Sequence, residues 1–177
     1  RSTFIYSRDR GKSWKIAAGA LDHTTESAIA EISPGVLMLN CRYNRASKRV
    51  VMTTKDLGKT WTEHPTSRKT LVEPGACMAS LITCPSPLGA GKPPLLIFSN
   101  PNVSSGRRRR MTIKLSTDSG LTWPEKHHLL LDAKPGAGYS CLTMIDKKTI
   151  GILYEGGTAH MVFQRIPLSD LMKGAEQ

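Results

Sequence analysis

An eight-residue pattern that occurs three times constrains the fold of this chain more than any other feature. The pattern has the form S/T-x-D-x-G-x-S/T-W and occupies residues 7–14, 54–61 and 116–123. All three tryptophans of the 177-residue chain stand at its last position, so chance does not explain the copies. The aspartates of successive copies are 47 and 62 residues apart, a spacing typical of β-propeller blades or solenoid repeats.

Each copy of the pattern has the composition of a tight turn between two antiparallel strands. An Asp side chain accepts backbone N–H groups across a turn, and Gly adopts a positive φ without steric cost. We expect the Trp to pack beneath the following strand. The segments before the second and third copies, RVVMTT and MTIKLS, are rich in β-branched or alternating residues and predict strands.

Further apolar segments also predict strands, because they are short and are separated by Gly, Pro, Asn and Asp. They are VLMLNCRYN, MASLITC, PLLIFSN, CLTMID, TIGILYE and HMVFQRI. A helix is predicted only in the final LSDLMKGAEQ, where Ser169 is a candidate N-cap. An all-β chain with repeats of about 50 residues predicts a β-propeller of four-stranded antiparallel sheets. The chain has material for about three blades, and we expect other residues to complete the propeller.

Composition narrows the class of partner. A net charge of +11 favours anionic partners such as acidic glycans, small carboxylates or nucleic acids. Nucleic acid is not expected, because the chain lacks the interleaved aromatic residues on which single-stranded bases stack. No apolar run approaches the roughly 20 residues of a membrane-spanning helix. The histidines and cysteines lack metal-ligand spacing, so we expect no metal or other cofactor and interpret the cysteines as mostly buried thiols.

The three repeats match the Asp-box repeat of sialidases (neuraminidases), a family of six-bladed propellers, and the segments between them resemble that family's catalytic domain. The resemblance implies that residues 1–177 form the C-terminal half of one catalytic propeller whose N-terminal blades are absent from the chain. It implies an exo-α-sialidase that removes terminal sialic acids from glycoproteins, glycolipids and oligosaccharides with retention of configuration. The implied partners are sialylated glycans and the N-terminal portion of the same sialidase, as a missing segment or a separate chain.

The resemblance also assigns candidate site residues. TESAIAEISPGVLMLNCRYN resembles the segment with the catalytic glutamate and a carboxylate-binding arginine, which implies Glu26 and Arg42. GRRRRMTIKLSTDSGLTW resembles the segment with another such arginine, eight residues before the Asp-box serine, which implies Arg108. GYSCLTMIDKKTIGILYEGG resembles the nucleophile segment, which implies Tyr139 as nucleophile and Glu155 as the residue that orients an arginine outside this chain. LVEPGACMASLI resembles a segment that lines the site.

These residue types suit the chemistry of a sialoside. Its carboxylate lies on the reacting carbon and would repel a carboxylate nucleophile, whereas a tyrosine approaches as a neutral phenol. Because a phenol is a poor nucleophile, it needs a base within hydrogen-bonding distance, and Glu26 is the candidate. Arginines bind a carboxylate through two parallel hydrogen bonds.

The residues alone leave several site assignments open. Glu31 competes with Glu26 as the base, although its position before a turn favours a solvated carboxylate. Arg42 alternates with apolar strand residues and could point to solvent, and Tyr139 could be an ordinary strand aromatic. Arg45, Lys48 and Arg49 are expected on the surface of the following hairpin.

The residues also leave the acid, the function and the location open. Asp22 and Asp132 are the available carboxylates, but neither has the context of the family's acid. A propeller that binds sialic acid or polyanions without turnover is the alternative function. Neither a native start nor a signal peptide is recognisable at Arg1, and the family favours a secreted or periplasmic bacterial protein over a lysosomal or cytosolic one.

Overall fold

The computed structural model describes residues 1–158 and 160–173, which form four antiparallel sheets. The first sheet pairs β1 (Ile5–Tyr6) with β2 (Lys15–Ile16), and the second contains β3 (Thr24–Ser33), β4 (Val36–Tyr43), β5 (Val50–Thr54) and β6 (Thr62–Glu63). The third sheet contains β7 (Ser80–Cys84), β8 (Leu95–Pro101), β9 (Met111–Ser116) and β10 (His128–Asp132). The fourth contains β11 (Ser140–Asp146), β12 (Thr149–Glu155) and β13 (Met161–Pro167). The predicted all-β class is therefore confirmed.

Each sheet is a meander in which strands that follow one another along the chain are neighbours. The first strands of the second, third and fourth sheets lie side by side, since β3 contacts β7 and β7 contacts β11. These three strands form the inner edge of a radial array of sheets, called the fan below. This is the arrangement of adjacent propeller blades. Short loops at the inner edge therefore come from different sheets but meet in one place.

The core consists of layers packed between neighbouring sheets. The layer between the second and third sheets includes Met38, Leu96, Phe98 and Trp123. A separate layer joins the third and fourth sheets, and it contains mainly Leu and Ile side chains from β8, β9, β11 and β12. Burial of this apolar surface supplies most of the stabilisation and fixes the angle between sheets.

The three Asp boxes are the predicted turns between antiparallel strands. In the third box, Asp118 accepts hydrogen bonds from the Thr122 backbone N–H (2.9 Å) and hydroxyl (2.6 Å), and Gly120 has a φ of +84°. The expected burial of the tryptophans holds for Trp123, which is 8% exposed, but not for Trp14, which is 59% exposed. The prediction is wrong for Trp14 because the following strand, β2, has only two residues, both exposed, and gives the indole little surface to pack against.

Two other sequence predictions are wrong. Arg49 is 1% exposed rather than on the surface, because its guanidinium is paired inside the fold. The predicted C-terminal helix is present as α1 (Leu168–Met172), but Ser169 lies within it and Pro167 occupies the N-cap position without a side-chain cap. The rest of that predicted segment, residues 174–177, lies outside the described residues. A 3-10 helix at Glu125–His127 is the other helical element of the described ranges.

Candidate active site

Three predicted site residues meet at the inner edge of the sheets. The Tyr139 hydroxyl donates a hydrogen bond to Glu26 Oε1 at 2.5 Å. Arg42 Nη1 donates to Glu26 Oε2 at 2.6 Å and to Tyr139 Oη at 3.4 Å. Glu26 and Arg42 come from β3 and β4, and Tyr139 directly precedes β11, so two sheets build the cluster.

The β3–β4 hairpin places Glu26 in this cluster. Thr24 pairs with Tyr43 and Ser27 with Cys41, and the register shifts between these pairs at the position of Glu26. Such an irregularity redirects a side chain at the end of a strand. Glu31 lies at the other end of β3, is exposed, and accepts the Gly35 N–H at 2.7 Å. The structure thus brings Glu26, rather than Glu31, to Tyr139.

Tyr139 is held from its backbone as well as from its hydroxyl. Its N–H donates to Glu155 Oε2 at 2.9 Å, and its carbonyl accepts the Glu155 N–H at 3.0 Å. The guanidinium of Arg108 lies 5.4 Å from the centroid of the Tyr139 ring. Glu155 therefore lies next to the cluster and fixes the backbone from which Tyr139 projects.

Among the four consecutive arginines, Arg108 is the one that contacts Tyr139. Its side chain is half-buried, whereas Arg107, Arg109 and Arg110 are exposed. Arg108 Nη1 donates to the Ala137 carbonyl at 2.7 Å and Nη2 to the Ala76 carbonyl at 3.0 Å. These two bonds hold the guanidinium over the phenol ring.

The charges of the cluster set its protonation state. The hydrogen bond to Glu26 is the main reason that the pKa of Tyr139 lies above its ordinary value. Partial burial raises the pKa of Glu26, but the hydrogen bonds from Tyr139 and Arg42 outweigh burial and leave this pKa below its ordinary value. The hydrogen bond to Glu26 also raises the pKa of Arg42. At neutral pH the cluster therefore holds a carboxylate facing a protonated phenol, which is the starting state for proton transfer.

The other carboxylates considered in the sequence lie outside this cluster. Asp22 is exposed and is paired with Arg1. Asp132 accepts backbone N–H groups from Lys134 and Gly157, both at 2.8 Å, so it stabilises a loop. Neither contacts Tyr139.

Sequence reasoning missed two residues behind the site. Glu73 and Arg49 form an ion pair at 2.6 Å, and both side chains are fully buried. A surface interpretation of Arg49 was natural because it stands among other basic residues in a hairpin. The available signal was Glu73 itself, since a lone acidic residue in the site-lining segment LVEPGACMASLI needs a cationic partner if it is buried.

Within residues 1–158 and 160–173, no group of three or more His, Cys, Asp or Glu side chains could hold a metal ion. No helix in the same ranges is long and apolar enough to cross a membrane. The cysteines are free thiols, of which Cys141 is exposed and the other three are buried, as the sequence predicted for most of them.

Comparison with known proteins identifies the family. The model of the BNR repeat-like domain matches residues 1–154. The chain is 56% identical over 169 residues to a sialidase of Bacteroides fragilis, a match that covers 96% of this chain and 31% of that protein. It is 32% identical to a sialidase of Micromonospora viridifaciens, with 87% of this chain and 23% of that protein covered. The chain thus spans less than a third of the length of these curated relatives.

Solved structures agree with the fold. Hadza microbial sialidase Hz136 superimposes with a TM-score of 0.85 at 55% identity, over 93% of this chain and 32% of that one. Trypanosoma rangeli sialidase has the same fold, with a TM-score of 0.77 at 21% identity over 97% of this chain and 28% of that one. The predicted fold, about three blades of a β-propeller, is confirmed. The chain belongs to the sialidase family and contains its BNR repeat-like domain.

Proposed function

We propose that the protein containing this chain is an exo-α-sialidase that hydrolyses terminal sialic acids of glycoproteins, glycolipids and oligosaccharides with retention of configuration. Tyr139 is the nucleophile, Glu26 is its general base, and Arg42 and Arg108 bind the substrate carboxylate. The observation that carries the proposal is the 2.5 Å hydrogen bond from Tyr139 Oη to Glu26 Oε1. It joins residues 113 positions apart and is flanked by two arginines.

The proposed reaction has two displacements. In the first, Tyr139 Oη attacks the anomeric carbon and its proton moves to Glu26 Oε1 as the glycosidic C–O bond breaks. The leaving oxygen takes a proton from an acid outside this chain. In the second, water attacks the same carbon and gives a proton to the conjugate base of that acid, the bond to Tyr139 breaks, and Glu26 returns its proton to the phenolate. Two inversions at one carbon give net retention.

The arginines have donors left for a substrate carboxylate. Arg42 uses Nη1 for Glu26 and Tyr139, while its Nε is buried and has no hydrogen-bond partner within the described residues. Buried donors are normally satisfied, and a bound anion would satisfy this one. Arg108 uses one N–H of each terminal nitrogen for backbone carbonyls and keeps others free to bind an anion.

We propose that residues 1–177 are the C-terminal half of the catalytic propeller and require the N-terminal half for activity. Apolar residues are exposed at both ends of the fan: Trp14 (59%) and Ile16 (72%) on the first sheet, and Met161 (61%) and Phe163 (57%) on β13. Further blades would cover them. The isolated chain should then show no turnover of a fluorogenic sialoside, and turnover equal to that of the complete protein would contradict the proposal.

The family also suggests a secreted or periplasmic location, which stays a prediction. A fusion of the native N-terminal region to a reporter enzyme would show whether the protein is exported.

The decisive variant is Tyr139→Phe in the complete protein. We expect kcat to fall by about 10³-fold or more, because the nucleophile is removed. The affinity for an unsaturated sialic acid analogue should be retained, because the ring and the arginines remain. A protein that only binds sialic acid would show no turnover before or after the change. Wild-type turnover by the variant would exclude Tyr139 as the nucleophile.

A further inference from the structure

The ion pair between Glu73 and Arg49 lies behind the candidate site and has no role in the proposed reaction. Arg49 makes four hydrogen bonds: to Glu73 Oε2 (2.6 Å), to the Cys77 carbonyl (2.6 Å), and to the side chain (2.7 Å) and carbonyl (3.2 Å) of Asn40. Arg49 thereby ties the loop of residues 72–77 to β4 and β5.

This loop contacts each part of the site through a different atom. Glu73 Oε1 accepts the N–H of Tyr43, the residue after Arg42, at 3.3 Å. The Ala76 carbonyl accepts Arg108 Nη2 at 3.0 Å. Cys77 Sγ lies 3.4 Å from the Gly138 carbonyl and donates to it, directly before Tyr139.

We propose that Glu73 and Arg49 are positioning residues: their ion pair fixes the 72–77 loop, and the loop sets the relative positions of Arg42, Arg108 and Tyr139. This inference rests on the proposed function of those three residues. The proposal explains the contacts of this short loop, which leads into the third sheet. The loop bonds to the backbone next to Arg42 and next to Tyr139, and to the side chain of Arg108.

The backbone of the loop shows why it needs such an anchor. Gly75 and Ala76 both have positive φ angles, +60° and +74°. Ala is rarely found in this region, so the loop holds a conformation that its own sequence does not favour. The contacts on either side, through Glu73 and the Cys77 carbonyl, select that conformation.

A charged pair defines the loop position more sharply than an apolar contact. Buried charges are tolerated only when their hydrogen bonds are nearly complete, so the pair allows few alternative arrangements. A shift of the loop would move together the Ala76 carbonyl that holds Arg108 and the Glu73 carboxylate that accepts the Tyr43 N–H next to Arg42. We therefore expect carboxylate recognition to depend on this buried pair.

The test uses the complete protein with two variants, Glu73→Gln and the double variant Arg49→Met/Glu73→Leu. The first keeps the shape but removes one charge, and the second removes both charges so that neither is left unpaired. Each is assayed for kcat and KM on a fluorogenic sialoside and for affinity toward an unsaturated sialic acid analogue and its methyl ester. Circular dichroism and thermal melting identify which variants are folded.

For a folded variant, we expect kcat/KM to fall at least about tenfold, and the preference for the acid over its ester to fall by a similar factor, because the arginines no longer converge on the carboxylate. The matched control is Glu63→Gln, which removes the exposed ion pair between β6 and Arg68 and should change neither quantity. A purely structural role would lower the melting temperature and leave the acid-to-ester preference unchanged.

A folded Glu73→Gln or double variant with wild-type kcat/KM and wild-type preference would overturn the proposal. If the double variant does not fold, the preference measured on Glu73→Gln decides. The Tyr139→Phe variant separates this inference from the proposed mechanism. If Tyr139→Phe retains turnover while the Glu73 variants lose the preference, the nucleophile assignment fails and the positioning role stands.

Discussion

Hydrogen bonds from a hydroxyl to a carboxylate occur near both ends of β9, in the third Asp box and in the candidate active site. At one end, the Ser116 and Thr122 hydroxyls donate to Asp118 at 2.7 and 2.6 Å and close the third Asp box. Beyond the other end, Arg108 lies against Tyr139, whose hydroxyl donates to Glu26 at 2.5 Å. Both are contacts between a hydroxyl and a carboxylate.

What differs is the separation of the partners along the chain. The Asp-box bonds join residues two or four positions apart, so the turn forms from its own sequence. The bond between Tyr139 and Glu26 joins residues 113 positions apart and exists only when two sheets are packed correctly. The local bonds stabilise the fold, whereas we propose that the long-range bond activates a hydroxyl.

Among variants that keep Tyr139, Glu26→Gln in the complete protein should have the largest effect. The amide still accepts a hydrogen bond but cannot take the phenol proton, so kcat should fall by about 10²–10⁴-fold. Glu31→Gln, in the same strand, is the matched control and should leave kcat unchanged. Steady-state kinetics on a fluorogenic sialoside measure both. Equal losses would show that the effect does not come from contact with Tyr139.

Arg108→Ala should have the next largest effect on turnover. Loss of charge-assisted hydrogen bonds of about 1.5–3 kcal/mol predicts a fall in kcat/KM of about 10–100-fold. Arg110→Ala, in the same run but exposed, should be tolerated. The comparison is made on kcat/KM with both purified variants. Equal effects would mean that the register assigning Arg108 is wrong.

The Asp boxes can be tested against each other with glycine substitutions. Gly120→Ala should destabilise the fold by about 2 kcal/mol, because φ is +84° and the new Cβ would lie 3.0 Å from Met38 Cε. Gly11→Ala has the same unfavourable φ, +85°, but its nearest neighbour is Trp14 at 3.8 Å, so about 1 kcal/mol is expected. Urea denaturation gives the two values. Equal losses would indicate that backbone conformation alone determines both.

Local patterns allowed much of the fold to be predicted. MTIKLS and TIGILYE correspond to β9 and β12 residue for residue, and all three Asp boxes are turns. The family resemblance supplied the site residues, and the structure brings Tyr139, Glu26 and Arg42 together, although their roles stay predictions.

The sequence was less informative where burial depends on a neighbouring sheet. Lys114 lies in the alternating strand β9, yet it is 2% exposed and donates to Asn100 Oδ1 at 3.1 Å. Burial was also predicted wrongly for two other residues. Trp14 was expected to be buried but is exposed, and Arg49 was expected at the surface but is buried. A period of two identifies a strand but does not show which of its faces another sheet will cover.

The smallest expected effect is the acid sensitivity of the Asp boxes. Hydrogen bonds from the Thr60 backbone and hydroxyl lower the pKa of Asp56 to about 2. Because the pKa is lower in the folded state, the stabilisation is complete above about pH 4, the ordinary Asp value, and is lost as the pH falls toward 2. Asp56→Asn should slightly lower the melting temperature at pH 7 and make it less dependent on pH between 4 and 2. Melting curves of both proteins across that range test this, and an unchanged slope would show that Asp56 does not contribute to acid unfolding.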